Sequence, residues 1–170
     1  MPKPRQAVPT LDVELVGGGR WVLAEQHPDR FSLIVFYRGV HCNLCKAYVT
    51  ELDRLVDDFA EVGVTSIVAV SGDDEGRAGR AVAEWDLRRV PIGYGHGQDS
   101  MRAWGLYLSK AIKEGQPNEF NEPGLFIVRP DGTLYASVVG TMPFMRPPLT
   151  DVVDTLRWVN EHDYPARGEI

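Results

Sequence analysis

Hydrophobic positions along the chain change period several times, and each change marks an element. Residues 11–16 alternate, with Leu11, Val13 and Leu15 set against Asp12 and Glu14, until Gly17, Gly18 and Gly19 interrupt the run ahead of Trp21–Leu23. Period-two alternation broken by consecutive glycines predicts a β-hairpin. FSLIVFY at 31–37 is apolar throughout, the mark of a strand covered on both faces and hence of a largely parallel sheet. Beyond it Leu44, Tyr48, Leu52, Leu55, Val56 and Phe59 recur at helical spacing opposite Glu51, Asp57 and Asp58, which predicts a helix over about 43–60.

VTSIVAV at 64–70 supplies the next strand, and SGDD at 71–74 offers an N-cap for a helix with Ala78, Ala81, Val82 and Trp85 on one face. VPIGYG at 90–95 reads as a strand, with Asp99 as the cap of a short helix over 100–108 and a long polar connection at 109–122. PGLFIV (123–128) and LYASVVG (134–140) flank the turn RPDGT as an antiparallel hairpin. Pro147 and Pro148 open a last helix whose buried face is Leu149, Val152, Val153, Leu156 and Val159, followed by a loose tail, DYPARGEI. Trp85, Trp104 and Trp158 read as core, and His96 in GYGHG as part of a turn. With no repeat, low-complexity tract or linker, residues 1–170 form one α/β domain.

Composition narrows the class. A chain of 170 residues buries about 70% of its unfolded surface, so it needs no disulfide staple. The net charge of −6 from 18 Lys+Arg and 24 Asp+Glu, without a basic run, argues against nucleic acid and anionic membranes as partners. MPKPRQAVPTLDVELVGGG has no signal-peptide core, and no segment approaches the ~18 apolar residues of a membrane span, so the expected compartment is the cytoplasm.

There a cycling disulfide is expected and a permanent one is not. Cys42 and Cys45, the only two cysteines, stand at the entrance of the helix predicted from 43. Two sulfurs at a helix start meet unpaired N–H groups and the positive end of the helix dipole, which favour thiolate, the reactive form. The pair therefore reads first as a redox dithiol. Half of a zinc site is a second reading, but the available histidines, His27, His41, His96 and His162, lack ligand spacing. Two inert buried cysteines are a third.

Strand, C-x-x-C, helix, strand, then a proline ahead of the hairpin P-x-x-F-x-V-x-x-D-G is a layout that resembles the thioredoxin fold. FYRGVHCNLC, MRAWGLYL, EPGLFIVRPDGTLY and MPFMRPP…DYPARGE, in that order, are similar to the peroxiredoxin-like branch of the alkyl hydroperoxide reductase/thiol-specific antioxidant superfamily. The resemblance implies a thioredoxin-like fold of peroxiredoxin type, with a central mixed sheet flanked by helices and an N-terminal β-hairpin. It implies a thiol-dependent oxidoreductase that reduces a peroxide or a protein disulfide through Cys42 and Cys45 without a bound cofactor, drawing electrons from thioredoxin or a glutathione-type donor. A homodimer is compatible with it.

Laying the peroxiredoxin motif P-x-x-x-T-x-x-C on the chain puts Arg38 at the proline, Cys42 at the threonine and Cys45 at the peroxidatic cysteine. The arginine that peroxiredoxins keep before G-L-F-I is here Pro123, as in thioredoxins, which implies a cis Glu122–Pro123 bond across from the dithiol. Arg38 stands in as the cation, or is a surface residue at a strand end. His41 assists proton transfer or lowers a thiol pKa as a cation, or only shields the site. Glu122, just before Pro123, either shuttles protons near the sulfurs or is solvated. In the thioredoxin-like order Cys42, exposed and activated at the N-cap, attacks first and Cys45 resolves. In the peroxiredoxin-like order Cys45 attacks the peroxide and Cys42 resolves. Exposure favours Cys42. Two other classes remain: a thioredoxin-fold binding module with little turnover, and a metal-handling C-x-x-C protein.

Overall fold

The computed structural model describes residues 1–170. Its frame is a mixed seven-stranded sheet in the order β2-β1-β5-β4-β3-β8-β9. β1 (Asp12–Leu15) and β2 (Arg20–Val22) make the N-terminal hairpin around the three glycines, each of which has a positive φ. β3 (Phe31–Phe36) lies at the centre with every residue buried, parallel to β4 (Val64–Val70) and antiparallel to β8 (Gly124–Val128). β5 (Ile92–Tyr94) extends the parallel side, and β9 (Leu134–Val139) is the outer edge.

Alternation along the central strands sorts the core into two layers. Leu33, Val35, Tyr37, Ala69, Leu125 and Ile127 face one cluster, which also holds Cys42, Cys45 and the buried residues of four helices. These helices are α1 (Asn43–Arg54), α2 (Val56–Glu61), α3 (Glu75–Glu84) and α5 (Leu149–His162). Ile34, Phe36, Val68, Val70, Phe126 and Val128 face the other layer, closed by Met101 of α4 (Gln98–Ala103) and by Trp104.

Several expectations are corrected here. The helix over 43–60 is two helices, because the N–H of Leu55 is shared between the carbonyls of Glu51 and Leu52 and the chain re-aims, turning Phe59 into the core. Asp99 is not a cap: Gly97 holds that place, α4 stops at Ala103, and residues 106–108 leave the helix. The connection at 109–122 is not structureless, since β6 (Leu108–Lys110) and β7 (Glu119–Asn121) pair as a separate antiparallel hairpin. The tail is not loose, because Ala166 is buried, its carbonyl accepts from Arg5 Nε at 3.0 Å, and Tyr135 Oη donates to the Tyr164 carbonyl at 3.0 Å. Trp158 is 47% exposed on α5, stacked on His162, and so lies outside the core. His96 is buried against the ring of Phe36 and not part of an open turn.

Candidate active site

The site is built where β3 ends. Gly39 has φ +126°, a conformation that a side chain resists, and a Cβ there would stand 2.8 Å from both carboxylate oxygens of Asp73. Asp73, whose side chain is fully buried, accepts the Val40 N–H at 2.7 Å and Arg77 Nε at 2.8 Å. The turn held in this way presents the Gly39 carbonyl to the Cys42 N–H at 3.1 Å and delivers the chain into α1 with Cys42 as its N-cap.

One sulfur meets a free donor of the helix start, and the other meets donors from outside the helix. Cys42 Sγ accepts the Cys45 N–H at 3.2 Å. Cys45 Sγ accepts the Arg38 N–H at 3.5 Å and Arg146 Nη2 at 2.9 Å. The Cys45 thiol donates to the Cys42 sulfur, and this, helped by the Cys45 N–H and by Arg146 and Arg38, outweighs burial and pulls Cys42 down to about 6. Burial, and the proton shared with Cys42, push Cys45 well up. The two sulfurs titrate as a pair in which Cys42 is the more acidic member. The sulfurs are free thiols, and Cys42 is only 4% and Cys45 0% exposed, so the expectation of an open Cys42 is corrected: it is activated but roofed.

The Arg38 guanidinium makes its close contacts with Glu122 and Phe120. Its Nε lies 3.3 Å from Glu122 Oε2, and the group sits 4.8 Å from the centre of the Phe120 ring. Glu122 is buried, with Oε1 accepting from Ser109 Oγ at 2.6 Å, so it is not solvated. His41 packs edge-on against Phe120 at 4.7 Å, and burial, reinforced by Arg38, Arg77 and Lys113, pulls it down to about 4. It is neutral at physiological pH, which excludes a role as a cation beside the thiol.

The expectation of a cis bond at Pro123 is overturned: every peptide bond in the chain is trans. The Glu122 N–H is committed to the Tyr107 carbonyl at 2.7 Å, extending the β6–β7 hairpin, and the Pro123 carbonyl accepts the Gly140 N–H at 3.0 Å. No free strand edge is left at Glu122, so the strand-like pairing of a protein substrate with the backbone before Pro123 is not available. Pro123 instead lines a small cleft with Tyr48, Met145 and Arg146.

Two residues of the site were not singled out in the sequence. Arg146 stands in MPFMRPP, which carried the resemblance but received no role, and its neighbour Pro147 could have flagged a fixed loop. Asp73 stands in SGDD, where one acid, Asp74, caps α3 and leaves the other free to turn inward. No group of three or more His, Cys, Asp or Glu side chains converges anywhere in the chain.

Residues 4–137, which carry both cysteines, match the AhpC/TSA family. The chain belongs to the AhpC/TSA family. No curated protein sequence matches it. Its fold is that of solved AhpC/TSA-type structures at low identity. Peroxidoxin BcpB from Mycobacterium tuberculosis is 15% identical with a TM-score of 0.73, over 94% of this chain and 99% of the other. Reduced Prx3 from Vibrio vulnificus, solved in complex with H2O2, is 14% identical with a TM-score of 0.75, over 92% and 99%. Mycobacterium tuberculosis AhpC is 13% identical with a TM-score of 0.75, over 100% and 99%. As an AhpC/TSA protein the chain is a thiol peroxidase, an enzyme that reduces peroxide with cysteine sulfur. No helix is long and apolar enough to cross a membrane.

Proposed function

We propose that this AhpC/TSA enzyme reduces small hydroperoxides through a Cys42/Cys45 dithiol in which Cys42 attacks first. The observation that supports the reading is Cys42 at the N-cap of α1, its Sγ accepting the Cys45 N–H at 3.2 Å, with its pKa drawn down while that of Cys45 is pushed up. Cys42 thiolate attacks the distal peroxide oxygen, the O–O bond breaks, and the leaving alkoxide takes a proton from solvent, giving Cys42 sulfenic acid and an alcohol. Cys45 then attacks the Cys42 sulfur. Its proton and the sulfenic oxygen leave as water and the Cys42–Cys45 disulfide forms. Arg146, at 2.9 Å, stabilises the Cys45 thiolate as that proton departs. Two electrons from a thioredoxin- or glutathione-type donor restore the dithiol. Burial of both sulfurs favours a peroxide over a protein disulfide as oxidant, because only a small molecule reaches Cys42 without displacing the loops above it.

Arg146 on Cys45 also favours a second order, in which Cys45 attacks and Cys42 resolves. Single serine variants separate the two. Cys45→Ser should still consume one equivalent of hydrogen peroxide and trap a sulfenic acid on Cys42, while Cys42→Ser should be inert. Retention of the fast first step in Cys42→Ser would assign attack to Cys45. Loss of peroxide consumption in neither variant would sink the dithiol.

A further inference from the structure

We propose that Arg77 determines which hydroperoxides reach Cys42, by latching the β6–β7 hairpin over the turn that carries it. This rests on the peroxide-reducing reading of the dithiol. The hairpin belongs to neither core layer by strand pairing, since β6 and β7 pair only with each other, and its base is tied to the end of β3 by the buried Asn121 amide, which donates to the Tyr37 carbonyl at 3.1 Å. Side-chain contacts hold it. Phe120 of β7 lies between Arg38 and His41, the residues that lead into Cys42. At the tip, Arg77 Nη1 donates to the Gly115 carbonyl at 3.2 Å, while its Nε is anchored on buried Asp73. Asp73 in turn holds the Val40 N–H. One guanidinium thus joins the hairpin tip to the same carboxylate that shapes the dithiol turn.

The reaction needs nothing from Arg77 itself. It is absent from the groups that set the Cys42 thiolate, which are Cys45, Arg146 and Arg38. It acts as a positioning residue, through the hairpin: with the latch closed Phe120 and His41 wall one side of the approach, and a bulky aryl or alkyl hydroperoxide is hindered where hydrogen peroxide is not.

The test compares kcat/KM for cumene hydroperoxide with that for hydrogen peroxide in the wild type and in Arg77→Ala. Losing the charge-assisted bond to Gly115 should raise the cumene-to-hydrogen-peroxide ratio by up to about tenfold. A second variant that replaces residues 113–117 with Asn-Gly leaves the Arg77–Asp73 pair intact; it should raise the ratio in the same direction while the pH midpoint of Cys42 alkylation stays where it is. A ratio within twofold of wild type in both variants, or a parallel fall on both substrates, overturns the latch. If the wild type consumes neither peroxide, the peroxidase reading fails first. The latch is then judged by limited proteolysis at the hairpin tip, which should be faster in Arg77→Ala; unchanged cleavage overturns it.

Discussion

Arg146 Nη2 and Cys45 Sγ lie 2.9 Å apart although 101 positions separate them in the chain. The contact fastens the loop before α5 to the first turn of α1, and Tyr48 reinforces it by donating its hydroxyl to the Pro147 carbonyl at 2.9 Å and placing its ring 5.1 Å from the Arg146 guanidinium. A hydrogen bond to a charged group contributes about 1.5–3 kcal/mol. Arg146→Met is therefore expected to slow closure of the disulfide by about 10- to 100-fold. Quenched-flow mass spectrometry would show sulfenic acid accumulating; closure at the wild-type rate would make Arg146 a fastener only.

The thiolate of Cys42, with its pKa drawn down to about 6, fixes the pH profile of the first step. The reactive form exists above that midpoint, so alkylation of Cys42 by iodoacetamide should rise through pH 6 and level off by about pH 7.5. In Cys45→Ala the largest of the stabilising contacts is gone, and the midpoint should move upward. A midpoint that stays near 6 in that variant would shift the credit to the arginines.

Arg38 and Glu122 form a pair with little access to water. Removing one partner of such a pair strands the other charge, at a typical cost of about 3–5 kcal/mol. Glu122→Ala should fall at the lower end of that range because Arg38 keeps some exposure, and the Arg38→Leu/Glu122→Leu double variant should recover much of the loss. Urea midpoints of the three variants measure this; equal midpoints for Glu122→Ala and wild type would show the pair to be energetically idle.

Buried His96 ties stability to acid. Burial holds it down at about 4, below its ordinary value of 6.5, so the unfolded chain binds a proton there at a higher pH than the folded one does. Stability should fall as pH drops from about 6.5 toward 4, by on the order of 2–3 kcal/mol in total. A His96→Phe variant keeps a ring against Phe36 and should show a flatter profile between pH 7 and pH 4.5 in chemical denaturation. Matching slopes would assign the acid sensitivity to other groups.

What was legible in the sequence were the features set by local pattern. FSLIVFY, VTSIVAV and the RPDGT hairpin appear where their periodicity places them, because each strand's burial is written in its own residues. The place of Cys42 and Cys45 at the start of α1 was legible for the same reason, as C-x-x-C after an apolar strand. The short strands β6 and β7 were not, since their apolar content is a few residues and their pairing satisfies mainly backbone groups. Arg146 and Asp73 were hidden because their importance comes from contacts across the fold. The trans bond before Pro123 is the ordinary state of an X–Pro peptide, and the cis expectation came from the resemblance alone.

Both sulfurs belong to the first turn of α1, and that closeness has a thermodynamic side. A bridge between Cys42 and Cys45 would close a ring of only four residues, and chain-entropy arguments give so short a ring about 2 kcal/mol of stabilisation. The reduced protein already packs both thiols into its core with the helix fully formed. Oxidised enzyme should therefore melt only about 4–8 °C above reduced enzyme. So short a ring makes the bridge a weak staple, and the contacts around the sulfurs are left to set how readily it forms.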